Sequence, residues 1–220
     1  MVIDANSDQL VKKPEPNVWV TWLAKLLADP SECYLPAWVQ TRFSVNKDNT
    51  FTGDWALRHA NIIEQVAKRL SASSRQVRIE QEIAVISRTG LRISGTMDIW
   101  APEAGKRVAI IVDAKTGKHK PSHRLQINLY QLMTSLNPQF RCTHKPGGLI
   151  AYTDSEIWIK PTEASPELAK KVAAAMEIIA SDIQPLPSPS RNNCRYCSIG
   201  HICQSRQSSA PFSAPLIDLF

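Results

Sequence analysis

The sequence has no apolar run that approaches the length of a membrane-spanning helix. The opening stretch, MVIDANSDQLVKKPEP, also lacks the apolar core of a signal peptide, and no internal repeat is visible along the chain. Cysteines are few, and disulfides are disfavoured in a reducing compartment. We therefore expect a soluble, cytoplasmic protein that has no membrane partner.

The composition is ordinary for a globular protein. The chain has 220 residues, of which 43% are hydrophobic and 21% charged, enough for one sizeable α/β core. Its formal net charge is +6, which favours an anionic partner, usually nucleic acid. A basic soluble protein without such a partner would have the same charge, so charge alone does not show whether this protein binds nucleic acid.

Hydrophobic periodicity predicts an α/β arrangement. Helical spacing predicts a helix over 19–28, broken by Pro30 and Pro36, and a longer amphipathic helix in GDWALRHANIIEQVAKRLSA. A hairpin follows (VRIEQEIAVIS, LRISGTMDIWAP), then a central strand (KRVAIIVDAKTG), a helix over 122–136 and two short strands (GGLIAYTD, EIWIKPT). An Ala-rich helix with Ser165 as N-cap comes last.

The same pass predicts five segments. They are a flexible lead-in (1–17), an N-terminal helical segment (18–50), a core (51–184), a segment rich in cysteine (185–205) and a flexible tail (206–220).

The central strand ends by placing a carboxylate and an ammonium side by side. Asp113 and Lys115 are two residues apart and so share one face of a strand. If the strands pair, Asp98 joins them, and two carboxylates suit Mg²⁺ or Mn²⁺. Lys115 can then orient a water or stabilise a phosphate charge. The plain alternative, a solvated salt bridge, leaves the neighbouring Gly95-x-x-Asp98 unexplained.

Three short motifs together resemble a known family. GTMD, IIVDAKTGK and QINLY stand in the order found in the RecB-like nuclease domain of the PD-(D/E)xK superfamily, after an upstream His59 on a helix. The resemblance spans roughly 19–203. It implies a restriction-endonuclease-like core, a mixed central sheet flanked by helices, with a helical Cys-bearing cap formed by the N- and C-terminal segments.

The resemblance also implies roles for individual residues. Asp98, Asp113 and the Ala114 carbonyl would be metal ligands, His59 a further ligand, and Asp98, Asp113 and Lys115 the catalytic set. The family often has an aromatic residue where this chain has Ala114, and we expect that side chain to face away from the metal. A histidine on an amphipathic helix is otherwise more often structural than a ligand.

The residues after the central strand are expected to contact DNA. Gln126 and Tyr130, one helical turn apart, would touch DNA and brace the site, as the resemblance implies. The basic cluster beside them would grip phosphates, although each member alone could be a solvated charge. Its members assigned to DNA are Lys118, Lys120 and Arg124.

Three cysteines fall within CRYCSIGHIC. Cys194, Cys197 and Cys203 give three thiolates on a compact loop, and soft thiolates select zinc or an iron–sulfur cluster. A fourth ligand is usually needed. Spacing alone leaves three possibilities open, Cys33, Cys142 or His201.

A second resemblance selects among these. One branch of RecB-like nucleases, including the fourth CRISPR-associated protein family and AddB-type nuclease domains, has one Cys before the core and three after it, and these hold a [4Fe–4S] cluster. It implies Cys33, Cys194, Cys197 and Cys203 as ligands of a structural cluster and Cys142 as a free thiol. Zinc remains the competing cofactor.

The chain ends in LIDLF, which resembles the peptide that docks bacterial proteins on the sliding clamp. That peptide usually begins with Gln, where this chain has Leu216, while the aliphatic–aromatic end matches. The alternative is a tail that folds back on the core. The possible docking residues are Leu216, Ile217, Asp218, Leu219 and Phe220.

Together these observations predict an Mg²⁺- or Mn²⁺-dependent exonuclease acting on single-stranded DNA ends in recombination, repair or CRISPR-type DNA processing. One alternative is a catalytically weak adaptor that binds DNA ends within a larger complex. Another is a factor that trims DNA for an integrase, with recombination or integrase-type partners.

Overall fold

The structure is a computed structural model that describes residues 10–45, 54–103, 108–140, 142–161 and 164–206. None of the helices in these ranges combines the length and apolar character needed to cross a membrane. The strands are β1 (Leu10–Lys12), β2 (Asn17–Trp19), β3 (Phe43–Val45), β4 (Arg78–Ile86), β5 (Arg92–Pro102), β6 (Ala109–Lys115), β7 (Gly147–Tyr152) and β8 (Glu156–Ile159). The helices are α1 (Val20–Ala28), α2 (Leu35–Arg42), α3 (Asp54–Ala72), α4 (Pro121–Leu136), α5 (Pro166–Ala180) and α6 (Arg191–Arg195), with a short 3-10 turn at Pro138–Phe140.

A mixed sheet forms the centre of the molecule. Its order is β2-β5-β6-β7-β8. The strands β2 and β6 pair with different stretches of one edge of β5, and β4 pairs with the opposite edge. The pairs β2–β5 and β6–β7 are parallel, whereas β4–β5, β5–β6 and β7–β8 are antiparallel. The prediction of a mixed sheet flanked by helices is confirmed.

The helices cover both faces of this sheet. One face packs against α3, and its core includes Ile62, Val66 and Val112. The opposite face packs against α1, α4 and α5, with Leu23, Ile127 and other apolar residues buried there. The strand β6 is apolar on both sides because it lies between β5 and β7 with helices above and below.

The strands β2 and β6 pair with the same edge of β5 but do not meet end to end. The strand β2 pairs with β5 over Arg92–Ser94, and β6 pairs with it over 99–102. The stretch 95–98 of β5 therefore has no partner strand on this edge among the described residues. This break in the sheet positions the candidate site.

The N-terminal segment differs from expectation. A second helix, α2, begins one residue before Pro36, which was interpreted as a break. Proline lacks an N–H and has a fixed φ, so it is well tolerated in the first turn of a helix. Part of the expected flexible lead-in forms β1, which pairs with β3. Such three-residue strands carry too little periodicity to be recognised in a sequence.

Most of the remaining secondary structure agrees with prediction, although the short helix α6 and the 3-10 turn were not expected. The hairpin, the central strand, α3, α4 and α5 lie within one to three residues of the expected bounds. Ser165 is the N-cap of α5, and its hydroxyl accepts a hydrogen bond from the Leu168 amide at 3.2 Å.

Candidate active site

An open cleft of about 550 Å³ lies over the break in the sheet. Its floor comes from the end of β6 and from the part of β5 that lacks a partner strand on the edge facing β6. Its walls come from α3, α4 and the start of α1. The lining residues are Trp19, Thr21, Trp55, His59, Gly95, Thr96, Asp98, Asp113, Ala114, Lys115, Thr116, Gly117, Lys118, Lys120, His123, Gln126 and Tyr130.

Asp113 lies at the bottom of the cleft and is held from two sides. Gln126 Nε2 donates to Asp113 Oδ1 at 2.8 Å, and Gln126 Oε1 accepts from Lys115 Nζ at 3.1 Å. Lys115 Nζ also forms an ion pair with Asp113 Oδ2 at 2.7 Å. Burial raises the pKa of Asp113 above its ordinary value, and the charge of Lys115 opposes this. The side-by-side placement predicted from the strand period is thus observed.

Asp98 approaches the same floor from β5. Its Oδ2 accepts a hydrogen bond from the Ala114 amide at 2.6 Å and lies 3.4 Å from His59 Nε2 on α3. The hydrogen bond with Asp98 raises the pKa of His59, while burial opposes the shift. The Ala114 methyl packs in the core beneath α3. The structure therefore brings together the three predicted carboxylate and imidazole side chains.

The strand β5 changes face at Asp98. Ile93 and Met97 belong to the core beside α1 and α4, whereas Ile99 belongs to the core beside α3. In a regular strand these odd-numbered residues would share one face. Opposite Asp98, Glu80 leaves the β4–β5 register and has a φ of 52°, a left-handed conformation that is rare for residues with a side chain. This local twist aims the Asp98 carboxylate at the break in the sheet.

Tyr130 closes the break from the α4 side. Its hydroxyl donates to the Thr96 carbonyl at 2.8 Å, so an unpaired strand carbonyl finds a partner there. A Cβ at Gly95 would lie 2.8 Å from Tyr130 Cε1, which explains why glycine precedes Asp98 by three residues. Burial raises the pKa of Tyr130, so this hydroxyl stays protonated and remains a donor.

The residues expected to contact DNA occupy different environments. Gln126 and Tyr130 line the cleft but are 6% and 1% exposed, and both brace the site. Lys118 and Lys120 are exposed on the rim of the cleft, whereas Arg124 is exposed on α4 outside its lining. Their contact with DNA stays a prediction.

The donor set fits a hard divalent cation. Asp113 Oδ2 is buried at the cleft, and the contact that the described residues give it is the ion pair with Lys115 Nζ at 2.7 Å. Asp98 adds a second carboxylate and His59 an imidazole. Within the described ranges no three His, Cys, Asp or Glu side chains already stand at metal-binding distances of one another. Binding a cation would therefore require side-chain movements.

The four predicted cluster cysteines belong to one region of the fold, but no three of the described His, Cys, Asp or Glu side chains there stand at metal-binding distances. Burial raises the pKa of the Cys197 thiol, and Cys203, Cys33 and Cys194 add to the shift. Cys33, Cys197 and Cys203 pack against the apolar cluster that contains Leu35. All four cysteines are free thiols. The fifth, Cys142, packs against the main core instead, and His201 is exposed.

Hydrogen bonds attach the C-terminal segment to the start of the chain around these thiols. The Ser188 amide donates to Cys33 Sγ at 3.4 Å, and Ser198 Oγ donates to Gln40 Oε1 at 2.8 Å. The ligand set stays a prediction. The predicted docking peptide, 216–220, lies outside the described residues.

Sequence reasoning missed the aromatic residues of the cleft. Trp55 stacks on His59 with ring centroids 5.2 Å apart and an interplanar angle of 18°. Trp19 lines the same cleft from the end of β2. The spacing of four residues between Trp55 and His59 on one helix was a signal that could have revealed the stack.

Two carboxylates and a lysine lie over the centre of a mixed sheet, open to a cleft with a basic rim, as the resemblance to nucleases implies. The family comparison agrees, because residues 19–204 match the model of the PD-(D/E)XK nuclease superfamily. The chain belongs to this superfamily.

Comparison with solved structures supports the fold. The protein SSO0001 is 17% identical with a TM-score of 0.55, and the alignment covers 89% of this chain and 90% of that one. An alkaline exonuclease (LHK-Exo) from Laribacter hongkongensis is 12% identical with a TM-score of 0.42, covering 74% of this chain and 87% of that one. No curated protein matches the sequence.

Proposed function

We propose that this nuclease is an Mg²⁺- or Mn²⁺-dependent deoxyribonuclease, an exonuclease acting on single-stranded DNA ends in recombination, repair or CRISPR-type processing. The observation that carries the proposal is the buried Asp113 carboxylate, which lines the cleft with its Oδ2 in an ion pair with Lys115. Asp98, Asp113, His59 and the Ala114 carbonyl would hold the cation. When bound, the cation would supply Lewis-acid polarisation of the scissile phosphate.

The side chains around the cation have separate tasks. Lys115, held by Asp113 and Gln126, keeps an ammonium at the floor where it can offset phosphate charge and orient the attacking water. Lys118 and Lys120 on the rim would bind flanking phosphates and make binding sensitive to salt. Gln126 orients the Asp113 carboxylate through its side-chain amide, and its contact with DNA stays a prediction.

Cleavage of end-labelled single-stranded DNA by anaerobically purified protein tests this proposal, with Mn²⁺, Mg²⁺ or EDTA. We expect metal-dependent digestion that Asp113→Ala abolishes while DNA binding survives, and the label would show the polarity. Glu64→Ala on the exposed face of α3 is the control for loss of a carboxylate, because Glu64 forms an ion pair with Lys68 one turn away and does not line the cleft. Binding without cleavage in every metal would favour the adaptor that holds DNA ends.

We further propose that Cys33, Cys194, Cys197 and Cys203 hold a structural [4Fe–4S] cluster. The packing of Cys33, Cys197 and Cys203 against one small apolar cluster, where the C-terminal segment meets α2, supports this. Such a cluster would close a very long loop and stabilise the fold. Anaerobic protein would be brown with iron and sulfide bound, and Cys197→Ser would lose both, whereas Cys142→Ser would not. Zinc in place of iron would contradict the cluster.

A further inference from the structure

Two partly exposed indoles line the cleft. Trp55 is 49% exposed and Trp19 is 39% exposed, and both line the same cavity. Large aromatic side chains are normally buried, because they contribute most when removed from water. Exposed indoles at the mouth of a catalytic cleft therefore call for an occupant.

The position of Trp55 points to the occupant. Its ring stacks on His59, and His59 Nε2 lies 3.4 Å from Asp98 Oδ2. Only the imidazole therefore separates the indole from the Asp98 carboxylate. Lys118 and Lys120 give the same cleft a positive rim. A strand whose phosphate lies over Asp98 and Asp113 would carry its own base within reach of this ring.

We infer that Trp55, with Trp19, forms a platform on which an unpaired nucleobase next to the scissile phosphate stacks. Positive charge that follows a phosphate backbone, combined with aromatic rings that accept any base, is how proteins bind single strands without reading sequence. A base inside a duplex is already stacked on its neighbours and cannot lie on the ring. The platform thus gives the cleft a physical preference for unpaired ends. The inference rests on the proposed function, since it takes this cleft to be the DNA site.

Binding to two oligonucleotides of equal length and charge tests the platform. One is fluorescein-labelled oligothymidylate, and the other has abasic tetrahydrofuran sugars in place of thymidine, so their affinity ratio isolates the contribution of the bases. Anisotropy without added divalent cation keeps binding separate from cleavage. Because stacking of one base contributes roughly 1–3 kcal/mol, we expect the wild type to bind the thymidylate roughly 5- to 150-fold more tightly.

Three variants make the test specific. Trp55→Leu keeps an apolar cover on His59 but removes the stacking ring, and we expect the affinity ratio to fall several-fold. Trp55→Tyr should restore most of it. Trp158→Leu is the matched control, because this indole is 57% exposed on β8 outside the cleft, and its ratio should equal that of the wild type. Circular dichroism would confirm that each variant is folded.

An unchanged ratio in Trp55→Leu, or a wild type that does not distinguish the two oligonucleotides, would overturn the inference. Failure of the proposed function looks different. In that case the wild type would cleave no DNA in any metal, while its base-dependent binding through Trp55 could still be measured.

Discussion

The side-chain amide of Gln126 donates a 2.8 Å hydrogen bond to Asp113 Oδ1, and both groups are buried. The other end of the same amide accepts from Lys115, so one glutamine fixes the relative position of a carboxylate and an ammonium. This relationship joins α4 to the end of β6 and makes several properties of the site testable.

Gln126→Ala should lower activity without unfolding the protein. Its loss leaves Asp113 Oδ1 without a donor and frees Lys115 to change rotamer, and a buried hydrogen bond to a charged group contributes about 1.5–3 kcal/mol. We expect kcat to fall about 10- to 100-fold with a small change in KM. Steady-state kinetics on a labelled oligonucleotide would measure it.

Gln131→Ala is the matched control for Gln126. It is another buried glutamine of α4, but its amide donates to the Pro146 carbonyl, away from the cleft. We expect a loss of stability with kcat retained. Equal kcat losses in the two variants would mean that Gln126 acts only through the stability of the helix.

Gly95→Ala should strain the contact between β5 and α4. The new methyl would meet Tyr130 at 2.8 Å and Val20 Cβ at 3.0 Å, and overpacking of this kind costs about 1–3 kcal/mol of unfolding free energy. The displaced Tyr130 would also release the Thr96 carbonyl, so activity should fall. Denaturant unfolding and cleavage assays would measure both effects.

Gly147→Ala at the start of β7 separates this packing effect from the general cost of changing a glycine. A Cβ there meets nothing within 4 Å, and we expect a change below about 0.5 kcal/mol. If Gly95→Ala proved equally harmless, Tyr130 would have to be free to move.

Glu80→Gly should stabilise the folded protein. Glu80 has a φ of 52° opposite Asp98, and a left-handed conformation costs about 1–2 kcal/mol for a residue with a Cβ. Glycine avoids this cost but loses about 0.5–1 kcal/mol in chain entropy, so we expect a net gain near 0.5–1 kcal/mol. Thermal or urea unfolding would measure it.

Glu80→Ala is the control for the lost charge. It keeps a Cβ at the same φ and should give no such gain in unfolding free energy. A destabilised Glu80→Gly variant would show that the backbone there is held by something other than the twist at Asp98.

His123 should titrate far below an ordinary histidine. Its pKa is lowered to about 4, chiefly by burial, and the charges of Lys115, Lys120 and His119 contribute to the same shift. The unfolded chain takes up this proton near the ordinary value of 6.5, so the folded protein should lose stability as the pH falls from about 6.5 towards 4. An NMR titration of the imidazole would give the midpoint directly.

His123→Gln removes the titrating group. The wild type should therefore lose unfolding free energy relative to this variant as the pH is lowered through the same window. A difference that is constant between pH 7 and pH 4.5 would mean that the folded protein binds the His123 proton as readily as the unfolded chain.

Relations that depend on local spacing were predictable from the sequence. Asp113 and Lys115 meet because strand residues two apart share a face, and Ser165 caps α5 because its hydroxyl reaches the amide three residues on. The long apolar and amphipathic segments were predicted for the same reason. Short β1 and β3 were not, because a strand of three residues depends on its partner rather than on its own pattern.

Most contacts of the site join residues that are distant in the sequence, so local spacing did not predict them. Composition and local spacing establish which side chains are available and which neighbours share a face. They do not reveal that β2 and β6 leave a break along β5, that Asp98 lies where this strand changes face, or that Gln126 reaches Asp113, since these depend on the folded core. Strand register and helix placement bring distant residues within hydrogen-bonding distance, and they follow from packing across the whole core rather than from local spacing.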